Sequence, residues 1–240
     1  MELALIGIGT GNPEHLTLQA IRALNGADLI IVPRKSGKDD LAELRLSICA
    51  EVAPKIEVRE FDLPVRDPNE PDYAKRVSDW HDAIAQVWAQ TIGGAGRVAL
   101  LVWGDPSLFD STLRIASRLD PAPQITVIPG ITSIQALTAA HAIPLNEINE
   151  PVVITTGRQL RDFGWPIGVK TVVVMLDGEC SFQHLDPAGI SIWWAAFAGM
   201  PQQITRSGRL NEITQDIIDT RQKARADHGW VMDIYLMRLV

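Results

Sequence analysis

Short runs rich in Val, Ile and Leu recur along the chain, and longer stretches of helical periodicity separate them. ELALIGI (2–8), ADLIIVP (27–33), KIEVREF (55–61), RVALLVW (97–103) and QITVIP (124–129) make a first set. PVVITTG (151–157), KTVVVML (170–176), ISIWWAAF (190–197) and WVMDIYLMRLV (230–240) make a second. Alternation in the first set predicts an α/β unit with a mostly parallel sheet, and the Val, Ile and aromatic content of the second set suits a sheet covered on both faces. The 240 residues suit two small domains better than one. An Ala-rich helix stops before Pro144, so the boundary is expected there: an N-terminal α/β domain over 1–143 and a C-terminal α/β domain over 144–240. The proline-rich stretch PVRDPNEPDYAKR (64–76) reads as an exposed loop that starts a helix near Tyr73.

Composition removes several function classes. A formal charge of -7 argues against an extended nucleic-acid or anionic-membrane surface, so an anionic ligand has to be met by local cations. Cys49 and Cys180 lie far apart with no CxxC or Cys/His spacing, which predicts neither a disulfide framework nor a metal site, but two buried thiols in a reducing cytoplasm. The first apolar run carries Glu2 and is broken at Gly7 and Gly9, unlike a secretory signal, and no segment approaches the roughly 18 apolar residues of a membrane span.

The first strand runs into GIGTGNPEHLTLQA (7–20). A dinucleotide fingerprint needs G-x-G-x-x-G and an acid at the end of the second strand. Asn12 stands in place of the third glycine, and Asp28 begins the second strand while Pro33, Arg34 and Lys35 end it. A Walker loop is excluded because no Gly-Lys-Ser/Thr follows. What survives is a tight, backbone-exposed turn at the carboxyl end of a strand, where open α/β sheets bind ligands; glycines needed for the turn alone are the plainer reading.

Two further corners share this build. In LLVWGDPSLFDSTLRIAS the strand ends at Gly104, Asp105 is placed to cap the next helix, and Pro106 falls at that helix's first position. In ITVIPGITSIQALTAA, Pro129-Gly130 turns the chain and Thr132 with Gln135 makes a capping box. Three strand-glycine-helix corners exceed what turn chemistry alone requires and predict a cleft built from backbone groups.

In order and spacing these segments resemble the tetrapyrrole methylase family across the whole chain. GIGTGNPEHLT is similar to its first glycine motif, WGDPSLF to its GDPxxF loop, VIPGITSIQA to its PGISS motif and VVVML to its later strand. The resemblance implies two α/β domains with a cleft between them, S-adenosylmethionine as methyl donor, a tetrapyrrole acceptor and a homodimer. Carried over residue by residue, it implies cofactor contacts at Trp103, Gly104, Asp105, Leu108, Thr132 and Ser133, with Leu176 and Ala196 from the second domain. Thr10, Gly11 and Asn12 would border the substrate, and Arg34, Lys35, Lys38, Arg158 and Arg161 are candidates to meet its carboxylates. The departures GIGTGNP, the 27–52 stretch and FDLPVRDP look like a cobalamin-pathway member that methylates C-1 of precorrin-5 and releases the ring's acetyl group as acetate. Acetyl loss calls for a general base, with His15, Asp105, His141 and Glu147 available and Asp105 preferred. Other readings are a family member acting on a different precorrin, a protein side chain or rRNA, and a non-catalytic metabolite sensor.

Overall fold

The structure is a computed structural model describing residues 1–35, 37 and 39–239. Contacts divide it into two units, Met1–Thr132 and Ser133–Val240, ahead of the boundary expected at 143/144. The first unit holds β1 (Glu2–Gly7), α1 (Leu18–Asn25), β2 (Leu29–Arg34), α2 (Asp39–Val52), β3 (Glu57–Asp62), α3 (Tyr73–Ile92), β4 (Arg97–Val102), α4 (Thr112–Ala116) and β5 (Gln124–Ile128). Its five strands run in the order β3-β2-β4-β1-β5, every neighbouring pair parallel.

The uninterrupted apolar runs are explained by cover on both faces. Leu3, Leu5, Leu29, Ile31, Leu100 and Val102 pack on one side with Ile84, Trp88 and Ile92 of α3. Ile6, Ile30, Val32, Ala99 and Leu101 pack on the other with Ala20 and Leu24 of α1 and Ile48 and Cys49 of α2. Alternate residues of each strand therefore belong to different cores, as the pleat requires. Capping sets the helix ends: Thr17 accepts the Ala20 N–H to start α1, Asp72 accepts those of Ala74 and Lys75 to start α3, and α3 stops at Gly93 with φ +57°.

The second unit holds α5 (Ser133–His141), β6 (Val152–Thr156), α6 (Gly157–Phe163), β7 (Thr171–Met175), β8 (Ile190–Ala196), β9 (Ile204–Arg209), α7 (Leu210–His228) and β10 (Asp233–Leu239), with strand order β6-β7-β10-β8-β9. Only β6 and β7 pair in parallel; β10 runs antiparallel to both β7 and β8, and β8 to β9. The sequence predicts only a sheet covered on both faces here, because an apolar run announces burial, not direction. β9 (ITRSGR) escaped the sequence reading because it is polar, as suits an edge strand. The early boundary has its cause in α5, which packs on β8 and β10 and whose His141 ring nitrogen Nε2 lies 3.0 Å from the Trp194 carbonyl. Of the Trp193-Trp194 pair, Trp194 is buried and donates its indole N–H to Asp233, while the Arg238 guanidinium stacks over Trp193.

Candidate active site

Since β4, β1 and β5 are adjacent, their three glycine corners meet at one end of the sheet. A Cβ on Gly7 would lie 2.6 Å from the Gly130 nitrogen and 2.7 Å from the Gly104 carbonyl oxygen. One on Gly130 would fall on that same carbonyl. Gly9 and Gly104 form an isolated bridge, the Gly104 N–H donating to the Gly9 carbonyl at 2.7 Å and the Gly9 N–H to the Gly104 carbonyl at 3.3 Å. Gly9, Gly11 and Gly104 all have positive φ, at 72°, 108° and 62°. The glycines are thus required by backbone-on-backbone contact as well as by turn geometry. Beside Gly104 there is room: a Cβ there would meet the Thr132 Cα at 3.8 Å and nothing nearer. Gly104 and Thr132, two predicted cofactor contacts, therefore face one another.

Asp105 ties this junction together. Its Oδ2 accepts the Gly130 N–H at 3.0 Å, and its Oδ1 accepts the N–H and hydroxyl of Ser107. Burial pushes the carboxyl up, but the Ser107 hydroxyl, the Ser107 N–H and the Gly130 N–H together outweigh it and hold the group below its ordinary value. Two expectations change. Asp105 closes a local turn and caps no helix; α4 begins at Thr112, whose N–H and hydroxyl bond to Asp110. Asp105 is also a weaker general base than expected, because both oxygens are engaged and the same donors lower its affinity for a proton.

The remaining predicted residues divide clearly. Thr10 shares a 3.3 Å hydrogen bond with His15 Nδ1, and Asn12 accepts the Glu14 N–H to cap the turn at Pro13–His15. Gly11 packs against Trp103 and Leu44: a Cβ on it would lie 2.9 Å from the indole and 2.7 Å from the leucine. Leu108 donates its N–H to the Asp105 carbonyl. Ser133 opens α5. Arg34 does not stand ready for a ligand, since Glu60 and Asp62 on the neighbouring strand pair with it at 3.7 and 3.4 Å. Arg161 is held by Glu179 and Asp162. Arg158 sits in the first turn of α6, Lys35 follows β2, and Lys38 lies outside the described residues. Of the four candidate bases, Glu147 is bound by Arg238, and each histidine has one ring nitrogen in a hydrogen bond, His141 Nε2 at the Trp194 carbonyl and His15 Nδ1 at Thr10; of these three, His15 is the one on the first glycine loop.

In the second unit, β7 ends at an exposed Leu176 in the left-handed region, φ +54°. The next residue, Asp177, is buried and accepts the Ser181 N–H, the Ser181 hydroxyl and the Tyr235 hydroxyl, the last at 2.6 Å. It also excludes any side chain at Gly157, whose Cβ would collide with it. Ala196 lies in this unit's core, fully buried, so it can back a ligand wall without presenting surface of its own. Sequence reading passed over Asp177 and Tyr235 because an acid after a strand and a tyrosine within one carry no motif. It passed over Arg45, buried under Trp103, for the same reason. Among the described residues no three His, Cys, Asp or Glu side chains are grouped to hold a metal ion, and no helix is long and apolar enough to cross a membrane.

The chain's relatives share this architecture. The family model for Tetrapyrrole (Corrin/Porphyrin) Methylases matches residues 2–214. A Sinorhizobium protein named precorrin-6A synthase [deacetylating] is 46% identical over 99% of this chain and 95% of its own. The crystal structure of a putative cobalamin synthesis related protein (CobF) from Corynebacterium diphtheriae superposes with a TM-score of 0.85 at 40% identity, covering 99% of this chain and 98% of that one. Uroporphyrin-III C-methyl transferase from Thermus thermophilus, complexed with S-adenosyl homocysteine, shares the fold with a TM-score of 0.63 at 20% identity, over 99% of this chain and 97% of its own. With its glycine junction, its two sheets and a family match across most of its length, the chain belongs to the tetrapyrrole (corrin/porphyrin) methylase family.

Proposed function

We propose that this methyltransferase is a precorrin-6A synthase (deacetylating): it uses S-adenosylmethionine to methylate C-1 of precorrin-5 and releases the ring's acetyl group as acetate. The observation that carries the reading is the Gly7/Gly104/Gly130 junction. It leaves room between the bare Cα of Gly104 and the Cα of Thr132, beside a carboxylate held ionised at Asp105. That pairing of half-buried backbone, bare of side chains at Gly104, with one negative charge fits a ligand bearing a sulfonium and an amino acid. When bound, the cofactor supplies an electrophilic methyl on a cationic sulfur.

Chain residues do the rest by position. In-line transfer demands that nucleophile and methyl be held about 3 Å apart, and a junction without side chains lets the backbone approach that closely. Trp103, Gly104, Leu108, Thr132 and Ser133 are the proposed donor contacts, with Asp105 as the strut that fixes their loops. By the family's pattern, Leu176, exposed at the end of its strand, and Ala196, buried in the core of its own unit, are proposed donor contacts as well. Thr10, Gly11 and Asn12 border the acceptor, Arg158 offers it a cation, and His15 is the proposed base for acetyl loss. In keeping with the family, the enzyme is read as a homodimer working in the cytoplasm.

Calorimetry with S-adenosylhomocysteine and, separately, ATP tests the cofactor assignment, with binding expected for the first alone. Turnover of precorrin-5 with one acetate released per methyl transferred tests the reaction. Methylation without acetate would point to a different precorrin acceptor, and binding without turnover to a sensor. Light scattering reads the oligomeric state.

A further inference from the structure

We propose that Arg45 and the indole N–H of Trp103 form a buried carboxylate-binding subsite beside the first glycine loop. The proposal rests on the methylase reading above; it adds Arg45, which neither the motifs nor the family match assigns, and gives the indole N–H of Trp103 a role of its own.

Arg45 lies on α2 and is 8% exposed. Its Nη1 donates to the Leu41 carbonyl at 3.0 Å and its Nε to the Leu101 carbonyl at 3.4 Å, and its guanidinium carbon sits 4.7 Å from the centre of the Trp103 ring. These partners are neutral. Among the residues whose side chains are described, which leaves out Asp39 and Asp40, no carboxylate lies within ion-pair distance, whereas the other deeply set arginines each have one: Arg221 holds Asp233 at 2.9 Å and Arg238 holds Glu147. Burial lowers the Arg45 pKa to about 10, with Asp110 pulling weakly the other way, so the group stays a cation at neutral pH. A guanidinium carries five donors in a fork that matches a carboxylate, and two carbonyls supply no charge to oppose its own. Burying a charge without its counterpart is among the costliest arrangements a fold can hold.

An unpartnered donor stands beside it. The Nε1–H of Trp103 is buried and has no acceptor. A water could satisfy that donor but could not neutralise Arg45; a carboxylate does both. The location is also right. Leu101 is the next-to-last residue of β4, and Trp103 touches Gly11 of the loop proposed to border the acceptor. The carboxylate can come from an acidic side chain of the macrocycle or from the amino-acid end of the methyl donor.

Three variants of the full chain separate these sources: Arg45→Met, Arg45→Lys and Trp103→Phe. Each is tested for melting temperature without ligand, for S-adenosylhomocysteine affinity by calorimetry, and for the KM of precorrin-5. Arg45→Met sheds an uncompensated charge, so it is expected to melt at or above the wild-type temperature while losing about tenfold or more in one ligand constant. A raised KM for precorrin-5 assigns the subsite to the macrocycle; a raised Kd for S-adenosylhomocysteine assigns it to the donor. Trp103→Phe is expected to weaken the same ligand by a smaller factor. Arg45→Lys should recover part of the loss, keeping the charge without the fork. The proposal is overturned if neither constant moves by more than about twofold in Arg45→Met or, should that variant not fold, in Arg45→Lys. If the wild-type chain itself neither binds S-adenosylhomocysteine nor turns over, the methylase reading fails and takes the subsite with it.

Discussion

At the scale of single residues, the buried titratable groups make opposite demands on pH. His81 on α3 is 3% exposed, its Nε2 has no partner, and its ring lies 5.6 Å from that of Trp80. Burial is the main cause of its lowered pKa; repulsion from Arg118, Arg66 and Arg114 adds to it, and Asp82 opposes it. The folded state therefore binds fewer protons than the unfolded state below the ordinary histidine value of 6.5. Stability rises with pH there, and it is lost as pH falls through about 6.5. Melting temperatures taken from pH 8 to pH 5 should show this fall, and His81→Leu should flatten it, since leucine neither takes up a proton nor leaves a buried donor unpaired. An equally steep fall in the variant would remove His81 as the cause. Asp105 has the reverse sign. Its lowered pKa means that its contribution is complete above the unfolded value of 3.8 and fades only as pH drops through the folded value, so it leaves the pH 5 to 8 window untouched. Asp105→Asn puts an amide against the donors of Gly130 and Ser107; a loss of about 1 kcal/mol by denaturant unfolding, with weaker S-adenosylhomocysteine binding, is expected.

At the scale of elements, the three glycine corners behave as one unit. Alanine at Gly130 would drive a methyl into the Gly104 carbonyl, where both sides are backbone and neither can swing away. Gly130→Ala should cost about 1–3 kcal/mol and lose most cofactor affinity, because the Gly104 and Thr132 loops are pushed apart. Gly94→Ala, at a position where an added Cβ meets nothing within 4 Å, is the matched control and should change neither. Retained affinity in Gly130→Ala would show that the junction does not shape the site. Each corner was legible in the sequence, since an apolar run that breaks at Gly or Pro-Gly marks where a strand stops. Their interlocking was not, because it depends on β4, β1 and β5 being neighbours, and strand order is a long-range property. Asp105 shows the same limit. An aspartate before Pro106 has the pattern of a helix cap, and only the approach of Gly130 from another strand reveals its second partner. Leu176, whose positive φ is unusual for a branched side chain, carries no local signal of that backbone state.

At the scale of the whole molecule, fold class and family were readable because they rest on repeated local signals and on ordered motifs. The mixed second sheet was not, since an apolar strand buried on both faces looks the same in either direction. What the sequence said of Cys49 and Cys180 is open to a direct solution test that treats each unit on its own terms. Cys49 packs with α1 and the sheet of the first unit; Cys180 packs with the core of the second. Burial pushes both thiols up to about 11. At pH 8 that leaves about a thousandth of each as thiolate, the reactive form, and the surrounding core withholds even that fraction from reagent. The native protein should therefore show no fast-reacting thiol, and two in denaturant. At intermediate urea each cysteine reports the opening of its own core, so labelling followed by peptide mass analysis yields two midpoints. Separated midpoints would mean that the units open independently, and coincident ones that they open in a single cooperative step. Prompt modification of either cysteine in native buffer would contradict the packing of the core in which it sits.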